Sequence, residues 1–182
     1  MRTIAEIVIS FSRYFRSLFN KGRFPFRQTA LKKCIILGNG PSLKNALPLL
    51  DKPSIKDVDL FCVNDFPLTP EYEKLKPAHY LFLDPSYYVD SVSEEFKKKR
   101  TLLFNSVKEK TTWDLSLYLP NILAKQEIGK KEFWGKHINV YFYNMASPTI
   151  TAPMWNSFFK KNKLMPHPQN ILIVTIYIAL NR

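Results

Sequence analysis

A glycine-rich turn between an apolar run and a helix is the stretch of this sequence best suited to bind a ligand. Residues 34–43 are CIILGNGPSL, and the first four are typical of a buried parallel strand. Gly38 and Gly40 permit unusual backbone dihedrals and close approach of a ligand, while Pro41 suits the first position of a helix. We expect free amides at that helix start, including that of Leu43, to face an anion. A plain strand-to-helix loop is the alternative interpretation.

Polar residues also follow two other predicted strands, in the places where those strands end. Asn64 closes the run at 58–66 (VDLFCVNDF), and Asp84 closes the run at 79–84 (HYLFLD) and is followed by Ser86. Because the carboxyl ends of parallel strands meet at one edge of a sheet, we expect these side chains to share a crevice with the glycine-rich turn. Taken singly, Asn64 and Asp84 are also common turn formers.

The three histidines are the candidates for a general base, because activation of an acceptor hydroxyl needs a group that titrates near neutral pH. His79 and His137 stand at the starts of predicted strands, at the edge opposite the crevice, so we interpret both as structural. His167 precedes the last apolar segment, on the crevice side of the sheet. It is our candidate catalytic residue.

Apolar runs alternate with helical patterns along the chain. This predicts an α/β fold with a Rossmann-like, doubly wound, mostly parallel sheet and an N-terminal amphipathic helix. Cys34 and Cys62 lie inside predicted core strands, so we interpret them as packing residues. The predicted strands are 34–37, 58–66, 79–84 and 138–144. The predicted helices start at 42 and then cover about 87–110, 113–126 with a kink at Pro120, 151–160 and 169–181.

Residues 1–30 differ in character from the Rossmann-like domain that we assign to residues 31–182. Their apolar side chains follow helical spacing, and basic side chains lie among and after them. Such a helix suits an anionic membrane surface, and packing on its own domain or on a partner is the alternative. The apolar positions are Ile4, Ile7, Val8, Phe11, Phe15, Leu18 and Phe19, and the basic positions are Arg2, Arg13, Arg16, Lys21, Arg23 and Arg27.

The chain of 182 residues has 27 basic and 15 acidic residues and a formal net charge of +12. This charge suits phosphorylated ligands, anionic lipid or nucleic acid, but no RNA-binding signature or zinc-ligand spacing supports nucleic acid as a partner. Because no apolar run reaches about 20 residues, we predict no transmembrane helix. We expect a cytoplasmic protein, held peripherally at the inner membrane face if residues 1–30 bind lipid. The pattern Asp57-Val58-Asp59 precedes its strand, so we interpret it as a loop and expect no metal or other cofactor.

The order CIILGNGPSL, DLFCVNDF and HYLFLDPSYY resembles the opening of the bacterial sialyltransferases of glycosyltransferase family 42. Related lipopolysaccharide and capsule glycosyltransferase-like proteins share it. The resemblance implies a nucleotide-activated sugar as substrate, with cytidine-monophosphate-linked sialic acid as one candidate donor, and a glycan or glycolipid as acceptor. The resemblance implies that Asn39, Gly40 and Ser42 approach the phosphate and sugar of the donor, and that Asn64 contacts the sugar or the phosphate. Our full set of candidate residues for donor or nucleotide binding is Gly38, Asn39, Gly40, Pro41, Ser42, Asn64, Asp84, Ser86, Gln169 and Asn170.

This sequence departs from that family at three places. Asp84 stands where the sialyltransferases have Asn, and Gln169 and Asn170 lie where they have a Thr-Ser-Gly turn, so the identity of the sugar stays open. Family members continue beyond the position of Arg182 with a strand, a lid and a histidine base. The resemblance therefore implies a fragment, a truncated gene product or a degenerate relative, without the usual base.

Two other functions stay open. The Gly-x-Gly-Pro-Ser-Leu turn is also similar to that of pterin diphosphokinase-like proteins. A phosphotransferase of that type would need metal-binding carboxylates, for which Asp65 and Asp84 are the candidates. The second alternative is a non-catalytic fragment that binds a nucleotide.

Overall fold

A computed structural model of the chain describes residues 29–38, 40–41, 43–50, 57–148 and 165–182. Eight further positions are described singly: Ile4, Val8, Ile9, Phe11, Ser12, Phe15, Ser157 and Phe159. Most of the N-terminal segment and of the predicted helix at 151–160 therefore lies outside the described residues, as do Asn39 and Ser42.

One parallel β-sheet runs through the described part of the chain. Its strands lie side by side in chain order, and each is parallel to its neighbour, so their carboxyl ends share one edge. The predicted α/β class and parallel sheet are confirmed. The strands are β1 (Cys34–Leu37), β2 (Asp59–Val63), β3 (His79–Leu81), β4 (Leu115–Pro120) and β5 (Ile138–Tyr143).

Helices connect these strands and follow the last one. The longest, α3, begins after Ser93, whose hydroxyl accepts a hydrogen bond from the Phe96 amide, and Glu94 and Glu95 in its first turn favour the helix dipole. The α-helices are α1 (Leu43–Ala46), α2 (Glu71–Leu75), α3 (Glu94–Lys110), α4 (Lys131–Trp134) and α5 (Ile171–Asn181). Short 3-10 helices cover Leu47–Leu49, Phe66–Leu68, Pro85–Tyr87, Asn121–Leu123 and Glu127–Gly129.

Both faces of the sheet are covered, because alternate residues of a strand enter different hydrophobic clusters. Cys62 and Leu117 belong to the cluster that contains residues of α2, α3 and α4. Phe61, Leu81 and Tyr118 belong to the cluster that contains residues of α5. Helices therefore pack on both faces of the sheet, as in an α/β fold.

The predicted helix at 113–126 is wrong, because Leu115–Pro120 form β4, which is paired with a strand on each side. All six residues of this strand (LSLYLP) are buried. A strand that is buried on both faces has no polar side to reveal its two-residue period, so its apolar run resembles that of a buried helix. Pro120 is its last residue, where a missing N–H interrupts only the end of the ladder.

Four further predictions, on two helices and two cysteines, have an outcome in the structure. The last apolar segment is the helix α5, as predicted, and the helix predicted from residue 87 begins only at Glu94. Cys62 is buried, but the packing role predicted for Cys34 is wrong, because β1 lies at an edge of the described sheet and leaves Cys34 exposed. No described helix has the length and apolar character needed to span a membrane.

Candidate functional site

A cleft of about 510 Å³ lies at the carboxyl edge of the sheet. Four of the predicted site residues line it: Asn64, Asp84, Gln169 and Asn170. Asn64 follows β2, Asp84 follows β3, and Gln169 and Asn170 precede α5. Three segments that are far apart in sequence therefore meet at this cleft. The volume of the cleft is within the range of about 300–1,000 Å³ that is typical of small-molecule sites.

Asn64 directly follows β2 and has a left-handed backbone, with a φ of 50°. Its amide donates to the Leu81 carbonyl at 2.9 Å, and its carbonyl accepts a hydrogen bond of 2.8 Å from the Tyr80 hydroxyl. Burial raises the pKa of Tyr80 well above its usual value, so the hydroxyl that donates this bond resists ionisation at alkaline pH. Both contacts fasten Asn64 to β3, so the surrounding structure maintains an unfavourable conformation at the cleft wall.

Asp84 supplies a carboxylate to the cleft and is itself exposed. Its Oδ1 accepts hydrogen bonds from the amide of Ser86 at 2.9 Å and from the Ser86 hydroxyl at 2.6 Å. These bonds cap the 3-10 helix that follows and fix the carboxylate relative to the backbone. Ser86, predicted as a site residue, is thus a partner of Asp84 and does not itself line the cleft.

Helix α5 begins at the cleft, where Asn170 is its N-cap. The Asn170 side-chain oxygen accepts a hydrogen bond of 3.1 Å from the Ile173 amide. The start of an eleven-residue helix carries the positive end of its dipole, which stabilises nearby negative charge. The α5 end of the cleft is therefore the end that favours an anionic group of a ligand.

The glycine-rich turn lies next to α5, but Gly38, Gly40 and Pro41 do not line the cleft. A Cβ on Gly38 would lie 3.8 Å from Leu172 Cδ2, an ordinary contact, so packing does not demand glycine there. The free amide predicted for Leu43 is wrong, because this amide donates to the Gly40 carbonyl at 3.0 Å. The turn closes on itself with this bond.

Asp65, the residue after Asn64, is held by two side chains from other segments. Its Oδ1 accepts a hydrogen bond of 2.9 Å from the Tyr87 hydroxyl, and its Oδ2 lies 2.6 Å from Lys99 Nζ. Burial raises the pKa of Tyr87, and the neighbouring charge of Asp65 raises it further. The described residues contain no group of three or more His, Cys, Asp or Glu side chains arranged to hold a metal ion. Asp65 thus ties α3 and the segment after β3 to the end of β2.

The histidines differ in their surroundings. His79 is buried, its ring stacks on Phe61 with 4.1 Å between centroids, and its Nδ1 lies 3.1 Å from the Tyr118 hydroxyl. This agrees with the structural interpretation of His79. His137 lies just before β5, where its carbonyl accepts the Leu115 amide at 2.9 Å. His167 is exposed near the cleft, and its role as a base stays a prediction.

Six residues of the cleft wall were not among the predicted site residues: Leu83, Pro85, Tyr88, Met145, Pro168 and Ile171. The Tyr88 hydroxyl lies 3.5 Å from the Leu83 carbonyl, and burial and then the charge of Asp84 raise its pKa. All of these except Met145 lie within four positions of Asp84, Gln169 or Asn170, and that proximity in sequence was the available signal. Met145 carries no such signal.

Comparisons of the chain with family models, with curated proteins and with solved structures gave no match.

Proposed function

We propose that this chain binds a nucleotide-activated sugar in the cleft, as a glycosyltransferase-like protein of bacterial surface-polysaccharide synthesis. The acceptor in this proposal is a glycan or glycolipid, and residues 1–30 hold the protein at an anionic membrane surface. The observation that supports it is the meeting of Asn64, Asp84, Gln169 and Asn170 in one cleft at the carboxyl edge of a parallel sheet.

The chemistry of the cleft wall suits such a ligand. Side-chain amides of Asn64 and Gln169 offer both donors and acceptors to sugar hydroxyls. The start of α5 favours the phosphate, while the Asp84 carboxylate accepts hydrogen bonds from hydroxyls and repels an anion. We therefore orient the donor with its phosphate toward α5 and its sugar toward Asp84. Tyr88 and Met145 provide apolar surface for a ring.

The geometry favours this proposal over a metal-dependent phosphotransferase. A metal ion between Asp65 and Asp84 would have to displace Lys99, whose ammonium lies 2.6 Å from Asp65 Oδ2. It would also compete with the two hydrogen bonds that Ser86 donates to Asp84.

Titration with cytidine mono-, di- and triphosphate and with cytidine-monophosphate-linked sialic acid, followed by amide resonances, tests the proposal. We expect saturable shifts at residues 64, 84 and 169–172, because these line the cleft or begin α5. Shifts confined to α3, whose surface carries several lysines, would indicate nonspecific anion binding and would contradict the proposal.

Variants in the cleft sharpen this test. Gln169→Ala should weaken the response, whereas Asn105→Ala, at an exposed amide on α3, should leave it unchanged. Asp84→Asn removes an anion and retains an oxygen that can accept from Ser86. It should strengthen nucleotide binding, and weaker binding in this variant would contradict the orientation proposed above.

A further inference from the structure

We propose that the outer face of α5 rests on an anionic lipid bilayer, together with the basic residues beside its C-terminal end. The inference depends on the membrane association included in the proposed function. It adds a second contact, on the folded domain itself, which orients the cleft relative to the membrane.

Three large apolar side chains are exposed along α5 at intervals of four residues. Leu172 is 43% exposed, Ile176 49% and Leu180 80%. Residues four apart lie on one side of a helix, so these three form a continuous outer stripe. Val174 and Ile178, by contrast, are buried against the sheet. A helix that is apolar on both sides needs an apolar environment on both sides.

A groove of about 570 Å³ widens this apolar surface. It lies along α5 between Ile173 and Leu180 and includes Pro166 and Phe159 from the preceding segment. Its walls are formed mainly by hydrocarbon side chains, with Asn181 at the C-terminal end of the helix. The stripe and the groove together make a surface for hydrocarbon contact that is larger than a few scattered side chains.

Cations border this surface. Lys32 and Lys33 are exposed, and the Arg182 guanidinium donates to the carbonyls of Leu31 at 3.4 Å and Lys33 at 3.2 Å. Arg182 thereby fastens the basic segment to the C-terminal end of α5.

Acidic residues are scarce in the sequence of the N-terminal segment and of the α5 segment. The first 50 residues contain nine Lys or Arg and a single acidic residue, and residues 165–182 contain no Asp or Glu. An apolar stripe with a basic border is complementary to the interface of an anionic bilayer, where apolar groups insert and cations meet headgroups.

This orientation has a consequence for the cleft. Asn170 lines the cleft, and Leu172, at the start of the stripe, is in the first turn of the same helix. A domain that rests on the stripe therefore holds its cleft beside the membrane surface. That is the position from which the head group of a glycolipid acceptor is reached.

Co-sedimentation of the full chain with vesicles of phosphatidylglycerol and phosphatidylcholine tests this inference. We expect Ile176→Ser combined with Leu180→Ser to lower binding about tenfold, because two apolar anchors are lost. The matched control combines Leu102→Ser with Ile122→Ser, which are 61% and 59% exposed away from α5, and should bind like the unmodified chain.

A second pair of variants tests the charges. Lys32→Gln with Lys33→Gln should weaken binding to these vesicles, while Lys98→Gln with Lys125→Gln, also exposed, should have a smaller effect. Pure phosphatidylcholine vesicles should bind the unmodified chain much less. Circular dichroism of every variant establishes that the fold is intact.

Unchanged vesicle binding of the α5 variant would overturn the inference. So would a dimer of the unmodified chain that the α5 variant converts to a monomer in sedimentation velocity, because a second copy would then cover the stripe. Nucleotide binding is measured separately in lipid-free solution. If the unmodified chain binds vesicles but binds no nucleotide, the proposed function is contradicted and the membrane contact is not.

Discussion

The two edges of the sheet use similar polar residues in opposite ways. At the amino edge, Asp59 Oδ2 lies 2.8 Å from Arg182 Nη1 and 3.6 Å from His79 Nε2, and all three side chains are at most 8% exposed. At the carboxyl edge, Asn64 and Asp84 line a cleft that a small molecule can enter. The polar groups of the amino edge are thus buried against one another, whereas those of the carboxyl edge include side chains that also line an open cleft.

This difference shows that residue type alone does not mark a functional site in a parallel sheet. Histidine, arginine and aspartate are common catalytic residues, yet here they form a buried cluster with Phe61, above whose ring the Arg182 guanidinium lies at 5.4 Å. The cleft at the other edge is lined by one carboxylate and by side-chain amides, which are less often catalytic. Their interest lies in their exposure to the cleft and in the left-handed backbone of Asn64.

The largest expected effect on stability is at the amino edge. Asp59→Ala leaves the Arg182 guanidinium buried without its carboxylate, so we expect a loss of about 3 kcal/mol in the free energy of unfolding. Urea denaturation measures it. The control is Asp90→Ala, because Asp90 also pairs with an arginine but is 93% exposed, and its loss should be within about 0.5 kcal/mol.

The same Asp59→Ala variant, under conditions where it is folded, should bind nucleotide with unchanged affinity. A stability loss as small as that of the Asp90 variant would show that the amino-edge cluster contributes little. A changed affinity would show that the two edges are coupled through α5, which runs from one to the other.

The second prediction concerns alkaline pH. Burial raises the pKa values of Tyr80 and Tyr143 well above the ordinary value, so the folded protein binds these protons more tightly than the unfolded chain. Their contribution to stability is complete below about pH 10, the ordinary tyrosine pKa, and is lost as the pH rises above it. We expect tyrosinate absorbance from these residues to appear together with unfolding. Their ionisation in a chain with native circular dichroism would contradict this.

The sequence allowed the sheet and most of the polar cleft residues to be predicted, for identifiable reasons. Asn64 and Asp84 were found because each directly follows a short apolar run, and parallel strands bring such ends together. The strand β4 was missed because burial on both faces hides its period. The pair of Asp59 and Arg182 was missed because 123 positions separate them and only the packing of α5 across the sheet brings them together.

The sequence also does not reveal which glycines are required by packing. Gly129 occupies a place where a Cβ would overlap the Leu123 carbonyl oxygen, although nothing in its sequence context marks it. Gly38, in the conspicuous GNGPS turn, has room for a Cβ. A sequence pattern identifies a turn, but the atoms across from the glycine, which belong to other segments, decide whether packing requires it.

A third prediction is smaller and tests how the cleft wall is held. Tyr80→Phe removes the hydroxyl that donates to the Asn64 carbonyl, so we expect a loss of about 1 kcal/mol in stability. Nucleotide affinity should fall as well, because the Asn64 backbone is less firmly fixed. Tyr72→Phe is the control: its hydroxyl bonds to Thr111, so stability should fall with no change in affinity.

The smallest expected effect is a gain in stability at the carboxyl edge, opposite in sign to the loss expected from Asp59→Ala at the amino edge. Asn64→Gly relieves a left-handed backbone, and glycine adopts a φ of 50° without a steric penalty, so we expect a gain of about 0.5 kcal/mol or less.

Lys76→Gly, at the other described non-glycine residue with positive φ, should give a similar or larger gain, because lysine tolerates this conformation less well. The two variants should differ in nucleotide binding: Asn64→Gly removes a side chain from the cleft and should weaken it, whereas Lys76→Gly, at the end of α2, should not. Thermal unfolding and nucleotide titration of both proteins measure this pair of effects. If the two variants bind nucleotide with equal affinity, the Asn64 side chain does not contribute to binding. Its left-handed backbone is then explained by the turn after β2 alone.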